Sequence, residues 1–163
     1  MLNNIAHLVK TNQKRLDWDE YFMSIALLAS TRSCCSRLHV GSIIVKSNRI
    51  VSMGYNGFIS GAPHKSHIVD GHEQAIIHSE INALSNSNRT GTSSLENSTI
   101  YITHYPCINC FKAIASSGIK EIVYLYDYNN NELVETIRSD TNIIIRKLML
   151  HESQILCEEI NIV

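Results

Sequence analysis

The sequence predicts a single α/β domain built on a mixed five-stranded sheet with helices packed against it. Three observations predict it. Short β-branched runs alternate with segments of helical period along most of the chain. The first two runs are separated only by Ser47-Asn48, a hairpin connection. The later runs are separated by helix-length segments, which imply right-handed crossovers and parallel pairing. With 163 residues the chain is long enough to bury one core without staples.

Residues 1–16 read as a flexible leader or a short helix ahead of a domain spanning 17–163. Trp18, Tyr21, Phe22, Ile25, Ala26, Leu28 and Ala29 recur at helical spacing behind Asp17, a capping residue, so a core-facing helix runs from there and fades near Ser33. Cys34 to Leu38 is a loop. His39–Lys46 and Arg49–Tyr55 are strands, and Asn56-Gly57 ends the second. Phe58–Ile77 is irregular, holds Gly61, Pro63 and Gly71, and carries His64, His67 and His72, a density that raises the question of a second metal. A helix starting at His78 runs to about Ser85, and Asn86–Asn97 is a polar linker. Thr99–Thr103 is a third strand feeding into Pro106, and the helix that follows ends at Gly118. A strand over Glu121–Tyr126, a helix over Asn131–Ser139 and a strand over Asn142–Arg146 complete the sheet. The tail from Leu148 to Val163 is another helix or strand, with Cys157 as packing.

Composition narrows the function. At 44% hydrophobic and 18% charged the chain is that of a soluble globular protein, and its apolar runs are too short and interrupted to span a membrane. Met1 to Arg15 has no sustained apolar core, so it is not a signal peptide. Five cysteines are an odd number, and at least two are better explained as thiolate ligands than as a disulfide framework, which implies a reducing, cytoplasmic compartment. A net charge of −1 and the lack of any Lys/Arg-rich run argue against a nucleic acid polymer as partner and favour a free nucleotide.

The chemistry lies in His78-Ser79-Glu80 and Pro106-Cys107-Ile108-Asn109-Cys110. Cys107 and Cys110 are spaced i,i+3, so on a helix their sulfurs share one face and can grip one ion. Pro106 suits the first helical position, and the partial positive charge of a helix N-terminus favours thiolates. His78 supplies a third zinc ligand, leaving the fourth tetrahedral position for water, the mark of a catalytic site. Glu80 is set to move protons without being a ligand. Taken alone, a His-x-Glu occurs on many solvated helices, and a C-x-x-C serves equally as a redox pair or half a structural zinc site. Together and in this order, with the proline in place, they form the signature of zinc-dependent nucleobase deaminases.

Beyond these motifs the sequence resembles the cytidine deaminase superfamily, and within it the deoxycytidylate (dCMP) deaminases. The resemblance is carried by Asp19-Glu20-Tyr21-Phe22-Met23, Val40-Gly41-Ser42-Ile43-Ile44-Val45, Gly54-Tyr55-Asn56-Gly57, the His78 helix, Tyr101 to Cys107 and Ser117-Gly118-Ile119-Lys120, and covers roughly residues 17–147. It implies the three-layer α/β/α cytidine deaminase fold and hydrolytic deamination of dCMP to dUMP and ammonia, which supplies the precursor of dTMP. In that scheme Glu80 protonates the ring nitrogen and then the leaving amine, and Asn56 hydrogen-bonds the deoxyribose, a role compatible with a plain turn. Arg32 and Arg37 match basic positions suited to the phosphate, the alternative being solvated loop arginines. Tyr105 lines the base pocket or simply packs.

Ser79 departs from the resemblance by replacing alanine, a change expected to be tolerated. A second, structural Zn2+ in several relatives finds a match in Cys35, whereas Lys65 and Glu73 stand where cysteines do there; Cys35, His64, His67 and His72 are the residues that would rebuild it. The resemblance further implies a hexamer, activation by dCTP with Mg2+, inhibition by dTTP, and in some relatives dCTP as substrate. A nucleoside deaminase acting on free cytidine or deoxycytidine, and a non-catalytic zinc-binding relict, remain the alternatives.

Overall fold

In the computed structural model, which describes residues 1–12, 14–70, 72–89, 91, 94–129 and 132–149, the chain forms α1 (Leu2–Thr11), α2 (Trp18–Ser30), β1 (Gly41–Lys46), β2 (Arg49–Tyr55), β3 (Ile68–Val69), β4 (His72–Glu73), α3 (Ser79–Arg89), β5 (Thr99–His104), α4 (Ile108–Ser116), β6 (Glu121–Tyr126), α5 (Glu132–Ser139) and β7 (Ile144–Lys147). Helix α2 starts where its cap dictates. Asp17 accepts from the Glu20 N–H at 2.8 Å while Glu20 accepts from the Asp17 N–H at 3.2 Å, a reciprocal capping box. The helix ends at Ser30, ahead of Ser33, where the Thr31, Arg32 and Ser33 amides turn back to Leu28, Ala29 and Ser30.

Strands β1 and β2 form the expected hairpin. Lys46 faces Arg49, and Ser47 and Asn48 carry positive φ of 50° and 57°, the geometry of a primed two-residue turn that matches strand twist. The register slips between Ile44 and Val45, leaving Val51 as the extra residue of a bulge. The sheet order is β2-β1-β5-β6-β7, with β1 antiparallel to both neighbours and β5, β6 and β7 mutually parallel. His39 and Val40 lie outside β1, and β7 begins at Ile144 instead of Asn142.

Alternation along the strands fills two cores. Ile43, Val45, Tyr101, Val123 and Leu125 face α2 and pack on Phe22, Met23, Ala26 and Ala29. Ile44, Ile100, Ile102, Ile122 and Tyr124 face the other way, onto Ala83 of α3, Phe111 and Ile114 of α4 and Val134 of α5. The result is the three-layer α/β/α arrangement with a central mixed five-stranded sheet. Each fully buried Ile or Phe in these layers contributes about 1.5–3 kcal/mol. On the α2 side the layers are also tied electrostatically: Arg146 of β7 pairs with Asp19 and Glu121 at 2.7 Å each, and Tyr101 donates to Asp19 at 2.8 Å. The Arg146 guanidinium holds the Asp19 carboxyl below its usual range.

Two glycines let helices approach the hairpin. A Cβ on Gly41 would lie 2.0 Å from the Ala26 carbonyl oxygen of α2. A Cβ on Gly54 would lie 2.2 Å from the Ser79 carbonyl oxygen and 2.4 Å from the Ala83 nitrogen, so α3 rests directly on the β2 backbone.

Two expectations are corrected. Helix α3 continues past Ser85 to Arg89, so the first residues of the expected linker are its last turn; Asn86 donates to the Met53 carbonyl at 3.0 Å, a tertiary bond that offsets the low helix propensity of Ser and Asn, while Ser87 bonds back within the helix to Leu84 at 2.7 Å. The segment 58–77 is not wholly irregular. Ile68 pairs with Glu73 and Val69 with His72 in a small hairpin, held by Glu73, which accepts from the His67 N–H at 3.0 Å, from the Ala75 N–H at 2.8 Å and from the Ser66 hydroxyl. Of the two readings of residues 1–16, the short helix is the one found, as α1, which buries none of its side chains. The element expected in the tail, with Cys157, lies outside the described residues beyond Met149. No helix among the described residues is long and apolar enough to cross a membrane.

Candidate active site

Strand β5 ends at His104, and the chain turns through Tyr105 and Pro106 into α4, whose N-cap is Cys107 with extended φ and ψ of −70° and 164°. Cys107 is therefore not inside the helix, nor Pro106 at its first position: the proline sits one residue ahead of the cap. The two sulfurs converge across the first turn, from the cap and from buried Cys110, rather than along a helix face. His78 immediately precedes α3, its carbonyl accepting the Asn82 N–H at 3.0 Å. The N-terminal ends of α3 and α4 thus meet, and His78 Nδ1 lies 3.3 Å from Cys110 Sγ and 3.6 Å from Cys107 Sγ.

The three donor atoms all lie within 4.8 Å of one another, the single such group among the described residues. Ligands 2.0–2.3 Å from a tetrahedral zinc stand about 3.5 Å apart, so one imidazole and two thiols at these separations fit the ion. The protonation states suit it too. A hydrogen bond from the Cys110 thiol lowers Cys107 to about 4, making it a thiolate at neutral pH. Cys110 is pushed up by that bond and by burial, and His78 is raised by its hydrogen bond with Cys107.

Glu80, on the first turn of α3, is 4% exposed. Burial raises its carboxyl toward the protonated form. Its Oε2 accepts from the Ser79 hydroxyl at 2.9 Å, and that hydroxyl lies 2.6 Å from the Ser42 Oγ of β1. A carboxyl poised to hold or release a proton stands next to the three metal donors.

A cavity of about 240 Å³ opens over this centre. Its walls include Arg37, Asn56 and Tyr105 together with His78, Glu80 and Cys107. Asn56 follows β2 and bonds to the loop ahead of β1: Nδ2 donates to the Leu38 carbonyl at 2.8 Å and Oδ1 accepts from the Val40 N–H at 2.8 Å. Tyr105 is buried edge-on against Tyr124 and donates to Glu135 of α5 at 2.6 Å; burial keeps its hydroxyl protonated. Arg32, at the end of α2, is exposed and does not line the cavity. Cys35 lines it, but Cys35, His64 and His67 do not gather with one another into a metal-binding group among the described residues. His64 instead stacks on Phe58 at 5.0 Å, and the side chain of His72 lies outside what is described.

Sequence reasoning missed the cavity walls supplied by Phe58, Glu73, His104 and Tyr128. Only His104 carried a local signal, its place between β5 and Pro106. Its ring accepts or donates with Thr103 Oγ1 at 2.9 Å, and burial lowers its pKa, favouring the neutral imidazole.

Fold and donor set together define a zinc-binding α/β/α protein that keeps a buried acid at the metal. Residues 16–126 match the family described as the cytidine and deoxycytidylate deaminase zinc-binding region, and the chain belongs to that family. It is 38% identical over 125 residues to the deoxycytidylate deaminase of Mycobacterium phage D29, covering 68% of this chain and 95% of that protein. It is 35% identical over 143 residues to ComE operon protein 2 of Bacillus subtilis, covering 85% and 75% respectively. In structure it resembles the dCMP deaminase of cyanophage S-TIM5 solved with dCMP and dUMP, with a TM-score of 0.72 at 30% identity over 83% of this chain and 100% of that one.

Proposed function

We propose that this protein deaminates dCMP to dUMP and ammonia, using His78, Cys107 and Cys110 to hold zinc and Glu80 to transfer protons. The observation that carries the reading is the convergence of three metal donors within 4.8 Å beside a buried carboxyl, in a cavity that also presents an arginine. The kinship with deoxycytidylate deaminases supports the choice of substrate. Bound zinc supplies a Lewis acid that brings the pKa of a water in its open position to about 7.

The chain's own residues do the rest. Glu80 takes a proton from the water that attacks C4 and gives it to N3 of the cytosine ring; it then passes the proton of the new C4 hydroxyl to the amine, which leaves as ammonia when the C4–N bond breaks. Burial raises its carboxyl above the usual range, which favours its taking up a proton. Arg37 meets the monophosphate with its fixed fork of donors. Asn56 shapes the wall through its bonds to Leu38 and Val40, keeping one amide N–H for the deoxyribose. Phe58, Ile68 and Ile76 exclude water from the base.

The reading extends to dCTP as a second substrate, to a hexamer switched on by dCTP with Mg2+ and off by dTTP, and to a cytoplasmic setting. The motif resemblance supports regulation, and the free thiols of the described cysteines suit a reducing compartment. Release of ammonia and of the matching uracil product (dUMP, dUTP or deoxyuridine) should be measured with dCMP, dCTP and deoxycytidine separately, and the dCMP reaction with and without dCTP and magnesium as activator. The expected result is turnover of dCMP that falls by about 10²-fold or more in Glu80→Gln, with zinc retained. Arg37→Ala should raise KM for dCMP, with Arg32→Ala close to wild type. Turnover of deoxycytidine alone would sink the monophosphate assignment.

A further inference from the structure

We propose that Ser42 and Ser79 form a buried hydroxyl relay that positions the Glu80 carboxylate, so that Ser79 is a positioning residue for the reaction and Ser42 acts through it. The proposal rests on the reading of Glu80 as the proton-transferring group. Both serines are completely shielded from solvent, at 0% exposure. Ser79 Oγ is 2.9 Å from Glu80 Oε2 and 2.6 Å from Ser42 Oγ. A hydroxyl has one proton to give. A carboxylate only accepts, so the Ser79 proton goes to Glu80 and the Ser42 proton goes to the Ser79 oxygen.

The geometry crosses elements. Ser42 belongs to β1, hydrogen-bonded on both sides within the sheet, and Ser79 opens α3 one residue from Glu80 and from His78. The relay therefore references the Glu80 carboxyl to the rigid sheet instead of to its own helix alone. Ser79 thus adds an anchor from the sheet to those the carboxyl already has in its own backbone N–H and the Cys110 thiol, and narrows the orientations it can take. Such preorganisation lowers the barrier by limiting the orientations to be searched. Ser79 borders the cavity but presents no exposed surface to it, and Ser42 lies behind it, so the relay should act on kcat and leave KM alone.

The test is steady-state kinetics of dCMP turnover and thermal unfolding of zinc-loaded Ser79→Ala, Ser42→Ala and the double variant, with Glu80→Gln in parallel. Ser79→Ala should lower kcat about tenfold with KM within about twofold. Ser42→Ala should lower kcat about threefold, and the double variant should be no slower than Ser79→Ala, because Ser42 works only through Ser79. Stability should move differently. Ser79→Ala strands a buried Ser42 hydroxyl and lowers the unfolding midpoint, and removing that hydroxyl in the double variant restores part of it. A kcat that recovers along with the midpoint in the double variant would reduce the serines to packing and overturn the proposal, as would full kcat in Ser79→Ala. Full turnover in Glu80→Gln would instead overturn the reading of Glu80, and the relay with it.

Discussion

Cys107 and Cys110 converge with His78, while Cys34 and Cys35, though adjacent in sequence and walling the same cavity, form no such group among the described residues. The difference lies in the backbone beneath them. The first pair straddles the N-cap of α4, where the first turn brings residues three apart onto one side and free amides favour thiolates. The second pair follows the C-terminal end of α2, whose last carbonyls are taken by the Thr31, Arg32 and Ser33 amides, and neighbouring side chains diverge: Cys34 is exposed and Cys35 half-buried. Closeness in sequence thus counts for less than the element that orients the side chains.

The largest test of that contrast is metal retention. Cys110→Ser or Cys107→Ser should lose zinc and drop turnover to background, whereas Cys35→Ser should keep one zinc per chain and most of its activity, by elemental analysis and dUMP release. A second equivalent of zinc that disappears in Cys35→Ser would break the contrast and restore the site with His64, His67 and His72. Proton competition sharpens it next. Cys107 is already a thiolate at about 4, but the raised Cys110 and His78 must give up protons to bind metal. Zinc affinity should therefore fall as pH falls, by about tenfold per unit for each proton displaced, in chelator competition between about pH 6 and 8. Alkylation should give a smaller, site-resolved signal: Cys34 labels equally with and without zinc, and Cys107 labels only after the metal is removed, by peptide mass spectrometry. The smallest effect is expected at Asn56→Ala, which frees the loop carrying Cys34 and Cys35 from the end of β2. Loss of its two bonds should cost about 2 kcal/mol, lowering the unfolding midpoint by roughly 4–8 °C.

The elements set by short-range rules were legible in the sequence. Asp17 and Glu20 sit three apart and cap α2; Ser47-Asn48 joins two β-branched runs; His78, Cys107 and Cys110 come with their own spacing. What stayed hidden depended on partners far along the chain. The last turn of α3 is held by Met53, and Asn56 reaches back 18 residues to Leu38. Ser79, taken from the sequence as a tolerable replacement, meets Ser42 across 37 positions. Glu73 gathers three donors into its own hairpin, a use of a carboxylate that spacing does not reveal. Arg32 and Arg37 looked equivalent; both follow α2, and of the two it is Arg37 that lines the cavity.

The close seat of α3 on β2 at Gly54 bears on how this protein can vary. Any side chain there would lift α3, and His78 and Glu80 travel with that helix. A library of single substitutions selected for dCMP turnover should thus return Gly54 as invariant as the residues around the metal. Its backbone, not a side chain, is what selection would preserve, so a residue with no chemistry of its own would carry the mutational signature of an active-site group.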